Sequence, residues 1–364
     1  MSIDPKKEQG TIYRAQGMYG YQGWPSVCKD ENGVLYAVSS GYRMQHVCPF
    51  GKTVMYISRD EGKTWTPPII VNDTELDDRD AGIISLGNGK LLVTWFTHPT
   101  EVYQNTYARY IKDSTSPEEA LIALAQMASY RVLPDEKRKG GSYMRLSRDY
   151  GVTWGETVRI PVSAPHGPNV LADGSLLYLG KELYSYGAET AEVVASYKSV
   201  DDGQTWEKLC VLDTPEGYVL DNFHEPHVVE MPNGRLLGSI RAQGKPSYHG
   251  FTFFMCYSDD KGKTWTTPKS MDISGSPPHL MVHSSGAVIC VFGRREVPYG
   301  ERAIVSRDNG ETWSDEYVLC DNGPDGDLGY PCSVELSDGS ILTVYYQKVA
   351  VGEKCSLMYT KWWL

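Results

Sequence analysis

One eight-residue pattern, Ser-x-Asp-x-Gly-x-Thr-Trp, occurs five times and constrains the fold of this chain more than any other feature. In each copy the aspartate can accept hydrogen bonds from nearby backbone N–H groups and the glycine tolerates a positive φ, which is typical of a tight turn. A repeat at this spacing is typical of propeller blades or solenoid units that pack against one another. The copies, which we call the repeat turns, begin 48 to 89 residues apart, at Ser58, Ser147, Ser199, Ser258 and Ser306.

Six hairpin signatures alternate with the repeat turns, and each is an apolar run, a short Gly-containing turn and a second apolar run. They read PSVCKDENGVLYAV, GIISLGNGKLLVTW, NVLADGSLLYLG, HVVEMPNGRLLGSI, HLMVHSSGAVICVF and CSVELSDGSILTVYY. We therefore predict an all-β, six-bladed propeller with four strands in each blade, formed as one domain by residues 1–364. The sixth hairpin is followed by one more strand and no repeat turn, so we expect residues 11–15 to supply the outer strand that closes the ring.

One segment interrupts this regular pattern. About residues 100–140 lie between the second and third strands of blade 2, and they include SPEEALIALAQMASY at Ser116–Tyr130. A Ser-Pro start with an acidic first turn predicts an amphipathic helix. Because the connection between second and third strands lies on the long-loop face of each blade, we expect this helical insertion above any site on that face.

Composition excludes several classes of function. The formal net charge is −11 and no basic stripe is present, so we do not expect a nucleic-acid partner. Neither a long apolar window nor an apolar N-terminal core is present, which favours a cytoplasmic protein without a membrane partner. The eight cysteines lack CxxC spacing and are expected to be reduced thiols.

Antiparallel blades sort the polar residues by face. The starts of first strands, the ends of second strands and the long loops share one face, where binding groups are expected. Six of the eight histidines fall there. Tyrosine, glutamate, arginine and histidine converging on one funnel predict a sugar site. The first strands supply Arg79, Asp80, His166, His224, Glu225, His227, His279, Asp327 and Tyr330, and the second strands with their loops supply Arg43, His46, His98, Arg241, Arg294, Arg295, Glu301 and Arg302.

Five repeat turns in a six-bladed arrangement resemble the sialidase (neuraminidase) superfamily over nearly the whole chain. HEPHVVEMPNGRLLGSIR is similar to the stretch that carries the acidic partner and a substrate arginine of that family, which implies these roles for Glu225 and Arg241. GYPCSVELSDGSILTVYY resembles the stretch with the nucleophilic tyrosine, here Tyr330. A further arginine is expected from blade 5, where Arg295 and Arg302 are alternatives. The resemblance implies an exo-acting, retaining glycoside hydrolase that needs no cofactor.

The chemistry of these residue types is consistent with that activity. A phenol with a pKa near 10 is a poor nucleophile, and a carboxylate such as Glu225 can take its proton. A neutral tyrosine also avoids the repulsion that a carboxylate nucleophile would meet beside an anionic sugar. Arginines can hold a substrate carboxylate with two parallel hydrogen bonds.

Three departures from the family pattern concern the substrate. Gly23 stands where the family has its first arginine, and Gln347 stands where the family has the glutamate that braces it. His46 occupies the place of the acid/base aspartate, and Asp80 is an alternative acid. We therefore expect a glycoside with a terminal sugar, acidic or not, rather than sialic acid in particular. The other predicted substrate-binding residues are Arg43, Arg79, His166, His227, His279, Asp327 and Gln347.

Two other classes of function stay open from the sequence. One is a non-catalytic carbohydrate-binding propeller. The other is a metal-dependent enzyme acting on sugars, such as a deacetylase, because His166, His224, His227 and His279 gather at the ring centre. Glu225 and His227 lie two apart on one strand and could both ligate a metal. Against a metal, the sequence has no HxH or HExxH motif.

Overall fold

A computed structural model of the chain describes residues 2–14, 16–114, 116–184, 192–244 and 250–364. Its strands form six sheets, antiparallel except for one added edge strand, which confirms the predicted six-bladed propeller. Five sheets have four strands and the fifth blade gains one more. The strands are β1 (Ser2–Ile3), β2 (Lys7–Tyr13), β3 (Tyr21–Lys29), β4 (Leu35–Arg43), β5 (Lys52–Ser58), β6 (Ile69–Asn72), β7 (Asp78–Gly87), β8 (Lys90–Thr97), β9 (Gly141–Ser147), β10 (Val158–Ile160), β11 (Asn169–Val170), β12 (Leu176–Lys181), β13 (Val194–Ser199), β14 (Glu207–Val211), β15 (Phe223–Glu230), β16 (Leu236–Gln243), β17 (Phe251–Ser258), β18 (Lys269–Ser270), β19 (Pro278–Val282), β20 (Val288–Arg294), β21 (Gly300–Ser306), β22 (Glu316–Cys320), β23 (Gly329–Glu335), β24 (Ile341–Lys348) and β25 (Cys355–Trp362).

The N-terminal residues belong to two blades. Strand β2 runs antiparallel to β25 as the outer strand of blade 6, and Ala15 of the expected segment lies outside the described residues. Strand β1 adds in parallel to β22 at the edge of blade 5, a pairing that the sequence did not indicate. The first residues of the chain are thus hydrogen-bonded to strands that come more than 300 residues later.

Alternation along each strand builds the core. Successive side chains of a strand point to opposite faces of its sheet. In β4, Leu35 and Ala37 pack toward blade 6, whereas Tyr36 and Val38 pack toward blade 2. The same arrangement recurs between all neighbouring sheets, so six apolar layers separate the blades.

The repeat turns are structural. In the first turn the Asp60 carboxylate accepts hydrogen bonds from the Ser58 hydroxyl and the Thr64 amide at 2.9 Å each, and the Trp65 indole donates to the Gly62 carbonyl at 3.0 Å. The equivalent aspartates of the other four turns make the same serine and threonine bonds. These turns join third and fourth strands, on the face opposite the long loops.

The helical insertion lies between β8 and β9. Its predicted helix is present: Pro117–Ser129 is helical, and the Ser116 hydroxyl caps its start by accepting from the Glu119 amide at 3.2 Å. Buried residues of the insertion, among them Tyr103 and Tyr130, pack on the loop that follows β4. The helical segments are a π-helical turn (Val102–Tyr107), α1 (Ala108–Ser114), α2 (Pro117–Ser129), a 3₁₀ turn (Tyr130–Val132) and α3 (Asp135–Arg138), with a further 3₁₀ turn at Leu220–Asn222.

Two general properties complete the description. Among the described helices, none is both long and apolar enough to cross a membrane. All eight cysteines are free thiols, seven of them buried.

Candidate active site

Four blades repeat the same irregularity where their first strand begins. In blades 1, 2, 4 and 6 the inner strand carries one residue more than its partner, a β-bulge, between Gly23 and Ser26, Arg79 and Gly82, His224 and His227, and Gly329 and Cys332. The bulged residue has a positive φ of 49 to 54° in every case. These four residues are Trp24, Asp80, Glu225 and Tyr330.

The left-handed backbone of these bulges is costly for residues with side chains. Such conformations cost on the order of 1–3 kcal/mol each and cluster at functional sites, where bulges often redirect a side chain. Proline follows Trp24, Glu225 and Tyr330, although a residue before proline favours an extended backbone. Four identical strained positions around one axis indicate a shared purpose, which is to direct these side chains toward the axis.

Tyr330, Glu225 and Arg241 are in direct contact. The Tyr330 hydroxyl donates to Glu225 Oε1 at 2.5 Å, and Arg241 Nη1 donates to Glu225 Oε2 at 2.5 Å. Arg241 Nη1 also lies 3.0 Å from the Tyr330 oxygen, and its Nη2 donates to Gln243 Oε1 at 2.6 Å. The three residues come from β23, β15 and β16, so the bulges of blades 4 and 6 bring together groups that are 105 residues apart in sequence.

The surroundings of Glu225 and Tyr330 give these two groups different protonation states. Burial and the neighbouring Glu225 charge raise the pKa of Tyr330 well above its usual value, so the phenol is protonated and donates. Burial alone would raise the pKa of Glu225, but the Arg241 charge and the hydrogen bonds from Arg241 and Tyr330 outweigh it and lower that pKa. Glu225 is therefore an ionised acceptor placed on the proton of a neutral phenol.

Asp80 is a second carboxyl group of the same cavity. Burial and the Glu225 charge raise its pKa to about 7, and the positive charges of Arg79 and Arg241 only partly oppose this shift. A carboxylic acid that titrates near neutral pH can both give and take a proton there. Two carboxyl groups whose surroundings separate their pKa values are typical of an acid/base pair.

His46 also lines the cavity, and residues outside the cavity form hydrogen bonds with its ring. Its Nδ1 lies 2.9 Å from Asp327 Oδ1 and 3.0 Å from the Tyr21 hydroxyl, which itself donates to Asp327 at 2.9 Å. Burial lowers the pKa of His46, against the raising effect of Asp327. Asp327 thus serves as a partner of His46 and Tyr21 and does not line the cavity, which differs from its predicted contact with substrate.

The two arginines of blades 1 and 2 share a buried carboxylate. Arg43 is completely buried, and its Nη1 and Nη2 both bond Asp77, with Nη2 at 3.0 Å from Oδ2. Arg79 Nη1 lies 3.2 Å from the same carboxylate, and both guanidinium groups stack on the Trp24 ring, at 4.6 and 4.0 Å. Arg79 lines the cavity, whereas Arg43 is not among the lining residues, so its buried position does not support the predicted contact with substrate.

Blade 5 offered two arginines, and they point in different directions. The Arg295 guanidinium lies 5.6 Å from the centre of the Tyr330 ring and 5.1 Å from that of Phe251, which Arg241 also contacts at 5.1 Å. Arg302 instead bonds the carbonyl of Cys320 and that of Glu301. Of the two alternatives, the structure therefore places Arg295, and not Arg302, beside Tyr330.

A buried carboxyl group adjoins Arg295. Glu301 has no exposed surface, and neither of its oxygens has a hydrogen-bond partner among the described residues, nor do Nε and Nη2 of Arg295. Burial raises the pKa of Glu301 well above its usual value, although Arg295 and Arg302 oppose the shift. Glu301 is thus an unpartnered counterpart of Glu225.

Gln347 is buried away from the cavity. Its side-chain amide donates to Asn322 Oδ1 at 3.2 Å and accepts from the Cys320 thiol at 3.6 Å. It is not among the described residues that line the cavity, so its predicted role in substrate binding is not supported by its position.

The cavity above Tyr330 has a volume of about 280 Å³. Tyr330, Glu225, Asp80, Arg79, Arg241 and His46 line it, and on the blade 2 and blade 3 side so do Phe96, His98, Tyr107, Ser163, Ala164, Pro165, Lys181, Leu183, Tyr184, Glu192 and His224. Tyr107 belongs to the helical insertion, which therefore borders the cavity. Ligand pockets usually measure roughly 300–1,000 Å³, so this cavity suits a small ligand such as one sugar ring.

Three predicted residues lie in a different place. His166, His227 and His279 are buried on the axis with ring centroids 4.4 to 5.7 Å apart, and they line a second cavity of about 740 Å³ that extends to the hairpin-turn residues at the other face. Their predicted contact with substrate in the Tyr330 cavity is not supported, because these three residues lie deeper along the axis than the residues that line that cavity. We call these three residues the histidine layer.

The histidine layer has no metal-binding arrangement. Among the residues that the structure describes, no group of three or more histidine, cysteine, aspartate or glutamate side chains is arranged to hold a metal ion. Burial lowers the pKa of His227 to about 3 and those of His166 and His279 well below their usual value. Both ring nitrogens of His166 lack a described partner.

Three residues of the site region were missed by the sequence reasoning. Trp24 and Lys181 were not singled out, nor was Asp77 as the partner of both arginines. The proline that follows Trp24, Glu225 and Tyr330 at the same place in three blades was a usable signal for Trp24. Lys181 lies at the end of a second strand, where the same rule had selected Arg241.

Comparisons with known proteins agree with this architecture. Residues 127–344 match the family model described as a BNR repeat-like domain, and residues 56–67 match the BNR/Asp-box repeat. A sialidase from Paraclostridium sordellii is 26% identical over 175 residues, a match that covers 40% of this chain and 43% of the sialidase. The match thus spans less than half the length of that relative.

Solved structures share the fold along the whole chain. A protein of unknown function from Dyadobacter fermentans DSM 18053 superposes with a TM-score of 0.75 at 22% identity, covering 97% of both chains. The intramolecular trans-sialidase from Ruminococcus gnavus, in complex with oseltamivir carboxylate, gives 0.66 at 15% identity and 97% of both chains. The α-L-arabinanase of Penicillium chrysogenum, complexed with arabinobiose, gives 0.63 at 15% identity and 98% of both chains. At these identities the likeness establishes the fold.

Proposed function

Because this chain belongs to the BNR repeat-like domain family, within the sialidase superfamily, we propose that it is a glycoside hydrolase that removes a terminal sugar with Tyr330 as nucleophile. One observation carries the proposal: the Tyr330 hydroxyl donates to Glu225 while Arg241 contacts both groups, and all three line the cavity. A tyrosine paired with an ionised carboxylate is an activated nucleophile.

The first half of the reaction forms a glycosyl-tyrosine. Glu225 takes the phenolic proton as the Tyr330 oxygen bonds to the anomeric carbon, and the bond between that carbon and the leaving oxygen breaks. Asp80 gives its proton to the leaving oxygen. Arg241 stabilises the negative charge that Glu225 and the Tyr330 oxygen share as the proton moves.

The second half returns the enzyme to its starting state. Asp80, now ionised, takes a proton from a water molecule whose oxygen bonds to the anomeric carbon. The bond between that carbon and Tyr330 breaks, and the Tyr330 oxygen recovers its proton from Glu225. Two displacements at one carbon give retention of configuration.

Asp80 is preferred to His46 as the acid because of its surroundings. Asp80 has a pKa of about 7 and can therefore hold a proton near neutral pH, whereas the Nδ1 atom of His46 is engaged by Asp327 and Tyr21. An acid with a pKa close to the working pH is the more effective proton donor.

The decisive experiment compares two tyrosines of blade 6 on a panel of aryl glycosides that includes sialic acid, other acidic sugars and neutral hexoses. Tyr330→Phe should abolish turnover of the glycoside that the wild-type protein hydrolyses, while binding of the free sugar persists. Tyr346→Phe is the matched control, because the centroid of its ring lies 6.0 Å from that of Tyr330 and its buried hydroxyl has no described partner. This control should retain activity.

Two outcomes would contradict the proposal. Binding of sugars without hydrolysis of any glycoside on the panel would identify a carbohydrate-binding propeller. Undiminished turnover by Tyr330→Phe would remove Tyr330 from the mechanism. A glycosyl-tyrosine trapped with a fluorinated substrate and located by mass spectrometry on the peptide that contains Tyr330 would support it.

A further inference from the structure

Lys181 is a buried lysine that lines the cavity. It is the last residue of β12, only 2% of its surface is exposed, and it is one of the residues of blade 3 that line the cavity. Lysine is almost never fully buried unless its charge is paired. The surroundings of its ammonium group therefore require an explanation.

The described partners do not saturate this ammonium group. Its Nζ lies 3.2 Å from His224 Nδ1, and the nearest described carboxylate, that of Glu192, is 3.7 Å away. His224 Nε2 lies 2.7 Å from the Asp221 carbonyl and must donate to it, so Nδ1 accepts from Lys181. An ammonium group has three donors. One is engaged by His224, and the others have no acceptor within 3.5 Å among the described side chains.

The position of Lys181 in its blade is that of Arg241 in the next blade. Equivalent hairpin turns are closed by the bonds from the Leu171 amide to the Ser175 carbonyl and from the Met231 amide to the Arg235 carbonyl. Lys181 and Arg241 each lie six residues beyond the last residue of these turns. Blades 3 and 4 thus present one cation each at the same height of the ring.

Arg241 and Lys181 differ in their partners. Arg241 is occupied by Glu225, Tyr330 and Gln243, so it organises the nucleophile. Lys181 is paired more loosely, because the nearest carboxylate among the described residues, that of Glu192, lies 3.7 Å from its Nζ, beyond hydrogen-bonding distance. A compact ammonium group with free donors at a cavity wall suits acceptor oxygens that carry negative charge.

Building on the glycosidase function proposed above, we propose that Lys181 is a substrate-binding residue that recognises a carboxylate on the terminal sugar. The free ammonium donors bind the carboxylate oxygens, and His224 fixes the direction of the ammonium group by accepting its remaining proton. Lys181 makes the enzyme selective for an acidic sugar over its neutral analogue.

The test uses acid and ester pairs. For the acidic aryl glycoside that the wild-type protein hydrolyses, the methyl ester keeps the ring and leaving group but removes the charge. Lys181→Met should lower kcat/KM for the acid about 10- to 100-fold, mainly through KM, and leave the ester within about 2-fold, as expected for one charge-assisted hydrogen-bonded contact. Lys181→Arg should restore part of the preference for the acid.

The control removes another lysine of the same blade. Lys198 is on β13, where it faces Asp173 at 3.4 Å outside the cavity, so Lys198→Met should leave both substrates unaffected. Equal losses for acid and ester in Lys181→Met would show a structural role and overturn the proposal. No loss for either substrate would overturn it as well.

The pH dependence gives a readout that a structural role would not change. The charged or titratable groups facing Lys181 are Glu192 before β13 and Asp221, His224 and Glu225 around the start of β15. In the alkaline range only Lys181 among these changes charge, because burial lowers its pKa from the usual value. The preference for the acid should therefore fall as pH rises in the wild-type protein and persist in Lys181→Arg.

Failure of the glycosidase proposal stays distinguishable from failure of this one. Calorimetric titration with N-acetylneuraminic acid and galacturonic acid, each against its methyl ester, measures recognition without turnover. If the protein hydrolyses nothing but binds one acid better than its ester, and Lys181→Met loses that difference, Lys181 recognises the carboxylate in a non-catalytic protein. If neither acid binds better than its ester, the proposal is wrong.

Discussion

The inner strands carry two layers of titratable residues that differ in their charged partners. Glu225 and, two residues further along β15, His227 both lie near the axis; 16% of the Glu225 side chain is exposed, whereas His227 is buried. Burial disfavours the charged form of either side chain, which raises the pKa of a carboxyl group and lowers that of an imidazole. Among the described residues His227 has no charged partner, and burial lowers its pKa to about 3, whereas Arg241 keeps Glu225 ionised. The contact with Arg241 thus distinguishes the layer that contains Glu225, which we call the active layer, from the neutral histidine layer.

Glu301 shows the same contrast between two glutamates. It is completely buried, whereas 16% of the Glu225 side chain is exposed, and Arg295 and Arg302 are nearby, but neither makes a side-chain hydrogen bond to its carboxyl group among the described contacts. Burial therefore dominates and raises the pKa of Glu301. Glu225 thus differs from Glu301 in two ways, because its side chain keeps some exposure to solvent and bonds an arginine directly.

The largest predicted effect on activity comes from breaking the Arg241–Glu225 pair, which distinguishes the active layer from the histidine layer. In Arg241→Met, Glu225 loses its positive partner, so burial raises its pKa and the base is protonated at neutral pH. We expect kcat/KM to fall by about 10³-fold or more, because both base catalysis and charge stabilisation are lost. The acid limb of the pH–rate profile should also move to higher pH.

Arg235→Met provides the matched control for this experiment. Arg235 precedes the same strand, β16, but faces Glu311 and Asp259 at the hairpin turn. This variant should keep the wild-type profile. An Arg241→Met protein whose acid limb stays in place would contradict the view that Arg241 sets the pKa of Glu225.

The second prediction concerns the other carboxyl group of the active layer. Asp80 acts as an acid only while protonated, and its pKa is about 7, so activity should fall as pH rises above 7. Asp80→Asn should lower kcat/KM about 10²-fold for glycosides with poor leaving groups and much less for those with good ones. It should also remove the alkaline limb.

His46→Gln serves as the comparison for Asp80→Asn. Because His46 lines the same cavity and is the alternative acid, the two variants assign the role between them. Loss of the alkaline limb in His46→Gln, with the limb intact in Asp80→Asn, would transfer the acid role to His46.

Much of this arrangement was predictable from the sequence, because repeats fix the ring and the ring fixes which strand ends meet. The rule that starts of first strands and ends of second strands share a face brought Tyr330, Glu225 and Arg241 together before any coordinates were used. It could not separate Arg295 from Arg302, since both lie near the turn between β20 and β21 and side-chain direction decides between them.

The rule also did not predict how deep each side chain lies along the axis of the ring. His227 lies two residues beyond Glu225, and that step carries it from the Tyr330 cavity to the cavity of the opposite face. Arg43 failed for another reason, because Asp77 in the loop before β7 holds it, and a loop contact of this kind has no periodic signal. Repeats therefore predicted which blades contribute to the site but not how deep each side chain lies.

The smallest predicted effect on activity comes from replacing His166, and this change is also the sharpest test of the neutral histidine layer. Its φ of 76° is left-handed, and asparagine tolerates that backbone, so His166→Asn removes the titration without new strain. Since His166 does not line the Tyr330 cavity, kcat/KM at pH 7 should stay within about 2-fold of the wild-type value. The change should appear in stability against pH instead.

The sign of that change follows from the lowered pKa. Burial keeps folded His166 neutral at a pH where the unfolded chain, with a histidine pKa of about 6.5, already binds a proton. The free energy of unfolding should therefore decrease as pH falls below about 6.5, by up to about 1.4 kcal/mol per pH unit for each such histidine. Urea unfolding between pH 7 and pH 4.5 should show a shallower loss for His166→Asn, and a still shallower one when His227→Asn is added. Equal slopes for all three proteins would mean that these histidines are protonated in the folded state, and the contrast between the two layers would then be lost.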